Sequence, residues 1–431
     1  MTTNYRRNEL PNARNVTRVA LDNGIVVLIY ENSDVQSAVI TGSLRAGGIY
    51  ETPEQNGLAS LAAESLMRGT KHRDFDSIYE ELESIGADLD YNAGTFKVGF
   101  NAKSLAEDLP ILIELLADTL RQPTFPEDQV DRLRGEQLTY LHYQQQDTRW
   151  QASRAFRERL YPDYHPYHYN TRGTLETLPN LTIDQIRAFH ENQYGPDGMI
   201  ICIVGAVNSR QVLDFVRDHL GDWHNPQQAA QPELPAIDSP QATEYVHTYI
   251  PGKSQSDIVM GVLGPSRLDK DYRAAVVANS VLGQFGMMGR IGDVVREREG
   301  MAYYAYSSLD GGFGPGAWRI SAGVNPLNVE RAVELIRDEI RRLVQENISD
   351  DDLSDNQSYF TGRLPLQLES IEGVASTLHT IESYHLGLDY LLNYRDEIYK
   401  LNSDDLLQAA QRYLDPDALV ISVAGPEEIS Q

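Results

Sequence analysis

The chain has 431 residues, of which 41% are apolar and 23% charged, an ordinary globular composition that is enough for two to three domains of about 100–200 residues. Lys and Arg total 37 against 63 Asp and Glu, so the formal net charge is −26. A surface this acidic repels phosphate backbones and anionic membranes, which excludes nucleic acid as an expected partner. Basic or neutral peptides, or a complementary protein subunit, fit this field, although the charge also simply keeps a protein soluble.

The apolar segments of the chain are too short to cross a membrane. The longest, residues 199–207, has the length of a strand and contains Gly205, so we expect a soluble protein without a membrane span. The N-terminus carries no apolar segment of the signal-peptide type, and we expect a cytoplasmic location. Cys202 is the sole cysteine and lies in an apolar run, where a small buried side chain is expected; disulfides within the chain and Cys-rich metal sites are excluded.

The predicted elements mix strands and helices in both halves of the chain. In the first half they are strands at 25–30 and 37–44, helices near 57–68, 76–86, 105–121, 127–144 and 183–193, and a strand at 199–205. In the second half they are strands near 244–249 and 256–263, helices near 270–284 and 289–298, strands near 302–309 and 317–324, helices near 327–345 and 350–361, and a strand at 419–424. The elements cluster without strict alternation, which favours an α+β fold over a doubly wound parallel sheet.

An internal repeat divides the chain into two similar halves. The pattern at 181–186 recurs at 401–406, an offset of 220 residues. The same offset pairs the apolar helix positions Leu109, Ile113, Leu116 and Leu120 with Val329, Val333, Ile336 and Ile340. Prolines at 226, 232, 235 and 240 mark a linker between the halves. We therefore predict homologous domains at 12–224 and 242–431, joined by a linker at 225–241.

The segment 56–70 carries the outline of a known metal-binding helix. Gly57, Ala59, Gly69 and Thr70 have the spacing of G-x-A-H-x-x-E-H-x-x-x-x-G-T, and the segment resembles the active-site helix of the pitrilysin and mitochondrial-processing-peptidase family, the inverzincins. In that alignment Ser60 stands for the first histidine, Ala63 for the glutamate and Glu64 for the second histidine, and Tyr140 falls on the family's further glutamate ligand.

The chemistry of the family needs the groups that this motif lacks. Two imidazoles at i and i+4 ligate one zinc ion, and the carboxylate between them takes a proton from the metal-bound water. Ser60 and Ala63 supply neither ligand nor base, so we expect no metal in this chain and interpret Glu64 and the nearby Glu136 as solvated helix residues. The pair His165 and His168 flanks Pro166 in an aromatic loop that resembles a structural loop of the family. His72 lies between Lys71 and Arg73, a cationic setting that disfavours metal binding.

A second motif is intact. Gly283, Gly286 and Gly289 precede the segment 295–303, VREREGMAY, which resembles the family's glycine-rich loop followed by L-R-E-K-R-G-L-A-Y. The resemblance implies that Arg296 and Tyr303 hold the substrate backbone and polarise the scissile carbonyl. The alternative is a structural role, in which Arg296 forms an ion pair with a nearby Glu and the Tyr303 side chain packs against its neighbours. The glycines lack the Lys-Ser/Thr ending of a phosphate-binding loop, which argues against nucleotide binding.

The resemblance extends from about Val16 to Gly425 and implies a half-clamshell of two α+β domains, each with a mixed, largely antiparallel sheet covered by helices. Family members of this size form dimers that enclose a peptide or unfolded protein. In the heterodimeric branch one subunit carries zinc and the other the Arg and Tyr pair. We therefore expect a zinc-less subunit, inactive alone, with zinc in a homologous partner. The alternative is a binding or scaffold protein similar to the core subunits of respiratory complexes. A hydrolase with other chemistry would need a Ser-His-Asp or Cys-His arrangement, which the sequence does not suggest.

Overall fold

The computed structural model describes residues 10–426, which form two sheets covered by helices. The strands are β1 (Val16–Ala20), β2 (Val26–Glu31), β3 (Ser37–Leu44), β4 (Asp88–Ala93), β5 (Val98–Leu105), β6 (Ile200–Gly205), β7 (Glu244–Tyr249), β8 (Ser256–Leu263), β9 (Ala302–Leu309), β10 (Ala317–Val324) and β11 (Val420–Gly425). The first seven helices are α1 (Leu58–Ser65), α2 (Phe75–Ser84), α3 (Leu109–Arg121), α4 (Glu127–Gln144), α5 (Thr148–Leu160), α6 (Ile183–Gln193) and α7 (Ser209–Leu220). The others are α8 (Tyr272–Gly283), α9 (Phe285–Ile291), α10 (Val329–Gln345), α11 (Asp350–Gln367), α12 (Ile371–Ser383), α13 (Tyr390–Tyr399) and α14 (Ser403–Tyr413).

The first sheet has the order β1-β2-β6-β3-β5-β4, with β2 and β6 parallel and the other neighbours antiparallel. Helices α1, α3 and α7 pack against this sheet; α3 also packs against α7 and α1 against α6, and α12 packs against β3 and β6. Cys202 is fully buried in the layer beneath α12, where it contributes a small apolar side chain as expected, with Leu28 and Val39 beside it and Leu378 on the helix.

The second sheet has the order β7-β11-β8-β10-β9, with β7 and β11 parallel and the other neighbours antiparallel. Strand β8 is buried along its whole length because helices cover both of its faces. Ile258 and Met260 belong to the core formed with α8, α10 and α14. Val259 on the alternate face packs with Phe156 of α5. The predicted α+β class with largely antiparallel sheets is confirmed.

The two compact units are not continuous along the chain. Among the described residues, the first contains 10–141, 169–233 and 364–393, and the second contains 142–168, 234–363 and 394–426. Each predicted half thus gives one helix to the other unit: α5 covers the second sheet and α12 the first. The sequence pattern could not indicate this exchange, because an apolar helix face does not specify which sheet covers it.

The repeat is visible in the elements themselves. Helix α6 and strand β6 recur as α14 and β11 at the offset of 220 residues, and α3 recurs as α10. All eight apolar positions paired by that offset are buried. The predicted elements do not include strands β1, β4 and β5 or helices α5, α7, α12, α13 and α14. Within the described residues, no helix has the length and apolar character needed to cross a bilayer.

We predict that equivalent core positions of the two units carry similar stability. Leu116→Ala and Ile336→Ala each remove a side chain that is at most 1% exposed, and each should lower the free energy of unfolding of its unit by about 2–5 kcal/mol. The exposed residues Leu105 and Leu327 serve as matched controls, and their substitution by Ala should change stability by about 0.5 kcal/mol or less. Chemical denaturation measures all four; equal effects for buried and exposed positions would contradict the described cores.

Candidate functional site

Helix α1, which carries the degenerate motif, begins at an acidic cap. Gly57 precedes the helix with a left-handed φ of +99°, and the Glu51 carboxylate accepts hydrogen bonds from the backbone N–H groups of Gly57 at 3.1 Å and Ala59 at 2.6 Å. The Asn56 amide adds a weaker contact at 3.4 Å. Burial raises the pKa of Glu51 to about 7, although these donors partly offset the effect. The carboxylate thus satisfies N–H groups that a helix start leaves unpaired.

The loop after Tyr169 packs closely against the start of the same helix, where Gly173 contacts Gly57. A Cβ atom added to Gly57 would lie 2.8 Å from the Cα of Gly173, closer than real side chains allow. The Asn56 amide donates to the carbonyl of Asn170 at 2.8 Å, and the Thr177 hydroxyl donates to the carbonyl of Asn56 at 2.8 Å. These contacts fix the position of the residue between them, Arg172.

The positions of the lost ligands lie together around Glu64. Ser60 is buried and its hydroxyl donates to Glu64 Oε1 at 3.3 Å, while Ala63 is fully buried. Gln137 on α4 donates from Nε2 to Glu64 Oε2 at 3.1 Å. Helix α4, which carries Tyr140, thus contacts Glu64. The hydrogen bond comes from Gln137, about one turn before Tyr140.

Tyr140 is linked to Glu64 through an arginine that the sequence analysis missed. A guanidinium nitrogen of Arg172 lies 3.9 Å from Glu64 Oε1, and the Arg172 Cζ lies 5.3 Å from the centroid of the Tyr140 ring. This is an ion pair combined with a cation–π contact. Arg172 belongs to a loop without any motif of its own, so only the tertiary contact between Gly57 and Gly173 reveals its place.

The residues at this site do not fit a zinc ion. Zinc sites in proteins use imidazole, thiolate or carboxylate ligands, usually four in number with water included. Here a hydroxyl, a methyl group and a phenol occupy three of the four motif positions, and Glu64 is the only carboxylate among them. Glu136 is engaged elsewhere, in ion pairs with Arg68 at 3.1 Å and Arg132 at 3.4 Å. Across residues 10–426, no group of three His, Cys, Asp or Glu side chains is arranged to hold a metal.

The histidines weighed as alternatives make structural contacts. His165 stacks on Tyr161 with centroids 5.4 Å apart, and its Nδ1 accepts from the Tyr167 N–H at 3.1 Å. His168 Nδ1 lies 2.8 Å from the carbonyl oxygen of Tyr161. In the other unit, His72 Nδ1 lies 2.8 Å from Oδ1 of the buried Asp118.

The glycines of the second motif allow close packing. Gly283 ends α8, where a Cβ would lie 2.4 Å from the backbone nitrogen of Ser307 on β9. Gly286 and Gly289 have left-handed φ angles of +61° and +64°, and a Cβ on Gly289 would lie 2.6 Å from the nitrogen of Gly283. Side chains are therefore excluded at Gly283 and Gly289 by backbone on the neighbouring element. This geometry accounts for these two glycines without a bound phosphate.

Arg296 and Tyr303 stand on either side of a tight turn. Arg296 lies in a π-helical segment, Gly292–Arg298, and its carbonyl accepts from the Gly300 N–H at 3.1 Å. Gly300 has a φ of +63°, which a side chain would strain. The Tyr303 side chain is 85% exposed on β9, and no hydrogen bond to its hydroxyl comes from the part of the chain that the structure describes. The Arg296 guanidinium is 35% exposed and lies 3.5 Å from Glu297.

The residue after Tyr303 anchors this edge strand. The Tyr304 hydroxyl donates to the buried Asp257, which also accepts from the Thr148 hydroxyl at 2.5 Å. The Arg149 guanidinium covers the Tyr304 ring at 4.8 Å and hydrogen-bonds the Tyr306 hydroxyl. Burial and the adjacent carboxylate raise the pKa of Tyr304. Alternate residues of β9 thus have opposite roles, because one side chain fixes the strand while its neighbour is left exposed.

Both halves of the chain match one peptidase family. Residues 26–168 match the model of insulinase, peptidase family M16, and residues 180–359 match that of the peptidase M16 inactive domain. An uncharacterized zinc protease of Streptomyces coelicolor is 28% identical over 361 residues, covering 82% of this chain and 77% of that protein.

Two further proteins are similar to this chain. The crystal structure of a peptidase M16 inactive domain from Pseudomonas fluorescens has a TM-score of 0.89 at 25% identity, covering 97% of this chain and 99% of that one. Subunit 1 of the mitochondrial cytochrome b-c1 complex of Rattus norvegicus is 25% identical over 274 residues, covering 62% of this chain and 55% of that protein.

We predict that Glu51 makes stability depend on pH. Because its pKa rises on folding from 4.5 to about 7, its contribution to the free energy of unfolding is largest below pH 4.5 and falls as the pH rises through 7. Glu51→Gln removes the titrating group. Between pH 4.5 and 7.5, the free energy of unfolding of the natural chain should therefore fall by about 2 kcal/mol more than that of the variant. At any one pH, the variant should still be the less stable protein, because it loses hydrogen bonds of the Glu51 carboxylate.

Urea denaturation at the two pH values measures this difference, and all other titrating groups are common to both proteins. Asp74→Asn is the matched control, because this exposed N-cap of α2 has a lowered pKa and titrates below the window. An unchanged pH dependence in Glu51→Gln would contradict the buried, partly protonated carboxyl group.

Proposed function

This chain belongs to the M16 peptidase family, and from that membership we propose that it is the zinc-less subunit of a heterodimeric metallopeptidase. In this proposal Arg296 and Tyr303 contribute to substrate binding and transition-state stabilisation at a zinc site carried by a homologous partner. The observation that carries the proposal is the exposed Tyr303 together with the half-buried Arg296 in a chain whose own zinc motif is degenerate.

The exposure of Tyr303 argues against a packing role. A tyrosine that serves the core buries its ring, whereas this ring is 85% exposed beside a neighbour, Tyr304, that holds the strand. A phenol hydroxyl on a fixed strand is a suitable donor to the oxyanion that develops when a peptide carbonyl is attacked. Arg296 has only its chain neighbour Glu297 as an ion-pair partner within the described residues, at 3.5 Å, so its guanidinium remains accessible to a peptide backbone.

The degenerate helix explains why a partner is required. Peptide hydrolysis by this family needs an activated water, and Ser60, Ala63, Glu64 and Tyr140 provide neither a zinc site nor a general base beside one. A donor pair without a nucleophile cannot catalyse the reaction. The nucleophile must therefore come from a second chain with an intact zinc helix. The net charge of −26 favours peptides that are basic or neutral.

A scaffold role is the second candidate. The similarity to subunit 1 of a mitochondrial cytochrome b-c1 complex supports it, because that protein is named as part of a respiratory complex. A scaffold has no requirement for an accessible arginine and tyrosine, however, and this favours the peptidase subunit. The two candidates differ in whether the assembled complex hydrolyses peptides.

Co-expression with homologous chains that carry an intact H-x-x-E-H helix tests the proposal. We expect a stable one-to-one complex by size-exclusion chromatography with light scattering, and peptide hydrolysis that neither chain shows alone. A complex without hydrolysis would favour the scaffold, and failure of every candidate homologue to associate would contradict both.

We predict that Tyr303→Phe in this complex lowers kcat by about 10²–10³, the usual effect of removing one oxyanion donor. Folding and assembly should be unchanged, because the exposed hydroxyl has no partner among the described residues. Arg296→Ala should lower kcat/KM at least as much, and Arg296→Lys should restore only part of the loss because the planar guanidinium is gone.

Tyr249→Phe is the matched control, since Tyr249 is also exposed, at 57%, but ends β7 on the other side of the sheet order. Steady-state kinetics should show normal turnover for this control. Near-normal turnover of Tyr303→Phe with the subunits still associated would contradict the role given to Tyr303.

A further inference from the structure

The carboxylate of Glu64 is held without a metal. Its side chain is only 24% exposed, and its two oxygens accept from the Ser60 hydroxyl and the Gln137 amide. Both of these donors are neutral and buried, so they leave the negative charge uncompensated. A partly buried carboxylate with only neutral donors is stabilised by a cation placed close to it.

The cation that lies beside Glu64 is Arg172. Its guanidinium lies 3.9 Å from Glu64 Oε1 and covers the ring of Tyr140, the residue that stands for the third metal ligand. The loop that carries it is fixed at Gly173, which packs on Gly57 at the start of α1. The guanidinium therefore lies between the two helices whose side chains would otherwise share a metal ion.

We infer that Arg172 is the resident cation of this degenerate site, where it neutralises Glu64 in place of a metal ion and excludes divalent cations. An arginine suits this role because it keeps its proton at any physiological pH, whereas a lysine can be neutralised by burial. The Arg172 side chain is 48% exposed, and its positive charge 3.9 Å from Glu64 Oε1 also repels an incoming divalent cation, while its N–H groups compete for any carboxylate introduced there. The inference concerns metal affinity and does not depend on the activity of an assembly.

Restoring the family ligands tests the inference directly. The restored chain carries four substitutions: Ser60→His, Ala63→Glu, Glu64→His and Tyr140→Glu. We expect it to bind zinc at least tenfold more weakly with Arg172 present than after the additional substitution Arg172→Ala. Competition with a chromophoric zinc chelator gives the affinity, and mass spectrometry of the dialysed protein gives the metal content.

Arg132→Ala in the restored chain is the matched control. Arg132 lies on α4 and pairs with Glu136, so its removal changes the net charge equally without touching Glu64. Its zinc affinity should stay within about twofold of the restored chain, because Arg132 is exposed and its ion pair is with Glu136, not with any of the four substituted positions. Equal zinc affinities for the restored chain with and without Arg172 would overturn the inference.

A double-mutant cycle covers the case in which the restored chain does not fold. Arg172→Ala should lower the Tm of the otherwise natural chain, and the same substitution should lower it much less in a Glu64→Gln background, where no charge needs compensation. Equal Tm shifts in the two backgrounds would show that Arg172 contributes only loop packing and would likewise overturn the inference.

Discussion

Helix α1 of the first unit carries the carboxylate of Glu64 at a position where the resemblance to the family implies a metal ligand. The start of helix α1 keeps its support, with Glu51 capping the backbone and Gly57 in contact with Gly173. The centre of the helix has changed, because Glu64 is now surrounded by hydrogen-bond donors and a guanidinium. The contacts at the helix start involve backbone groups of Gly57 and Ala59 and do not depend on Ser60, Ala63 or Glu64.

In the second unit, one exposed tyrosine lies on a strand that buried contacts hold in place. The hydroxyl groups of Tyr304 and Thr148 both donate to the buried Asp257, and the Tyr304 contact fixes strand β9. The tight turn at Gly300 follows the helical segment that carries Arg296. On that rigid edge Tyr303 extends into solvent. Under the proposed function, this support matters because a hydroxyl donor on a fixed strand loses little conformational freedom when a substrate binds.

Local patterns predicted much of this arrangement. The apolar stripe of α3 and α10, the internal repeat and the α+β class all follow from residue periodicity, and those elements lie where the pattern indicates. The helix predicted near 57–68 is present as α1, Leu58–Ser65. These features depend on neighbours close in the sequence, which a single chain reveals.

Tertiary features could not be predicted in the same way. The exchange of α5 and α12 between the compact units depends on which sheet covers each apolar face. The role of Arg172 depends on two glycines meeting across distant parts of the chain, and no property of its own loop signals it. Asp257 appears unremarkable in the sequence for the same reason, because its partners Thr148 and Tyr304 come from separate segments.

Under the proposed function, this chain supplies contacts to a reaction whose metal it does not bind. The most direct test is the metal content of the purified natural chain, combined with hydrolysis of fluorogenic peptides by the chain alone in added zinc. We expect less than stoichiometric zinc after dialysis and no hydrolysis above background. One tightly held zinc ion per chain, with peptide hydrolysis that a chelator abolishes, would contradict it.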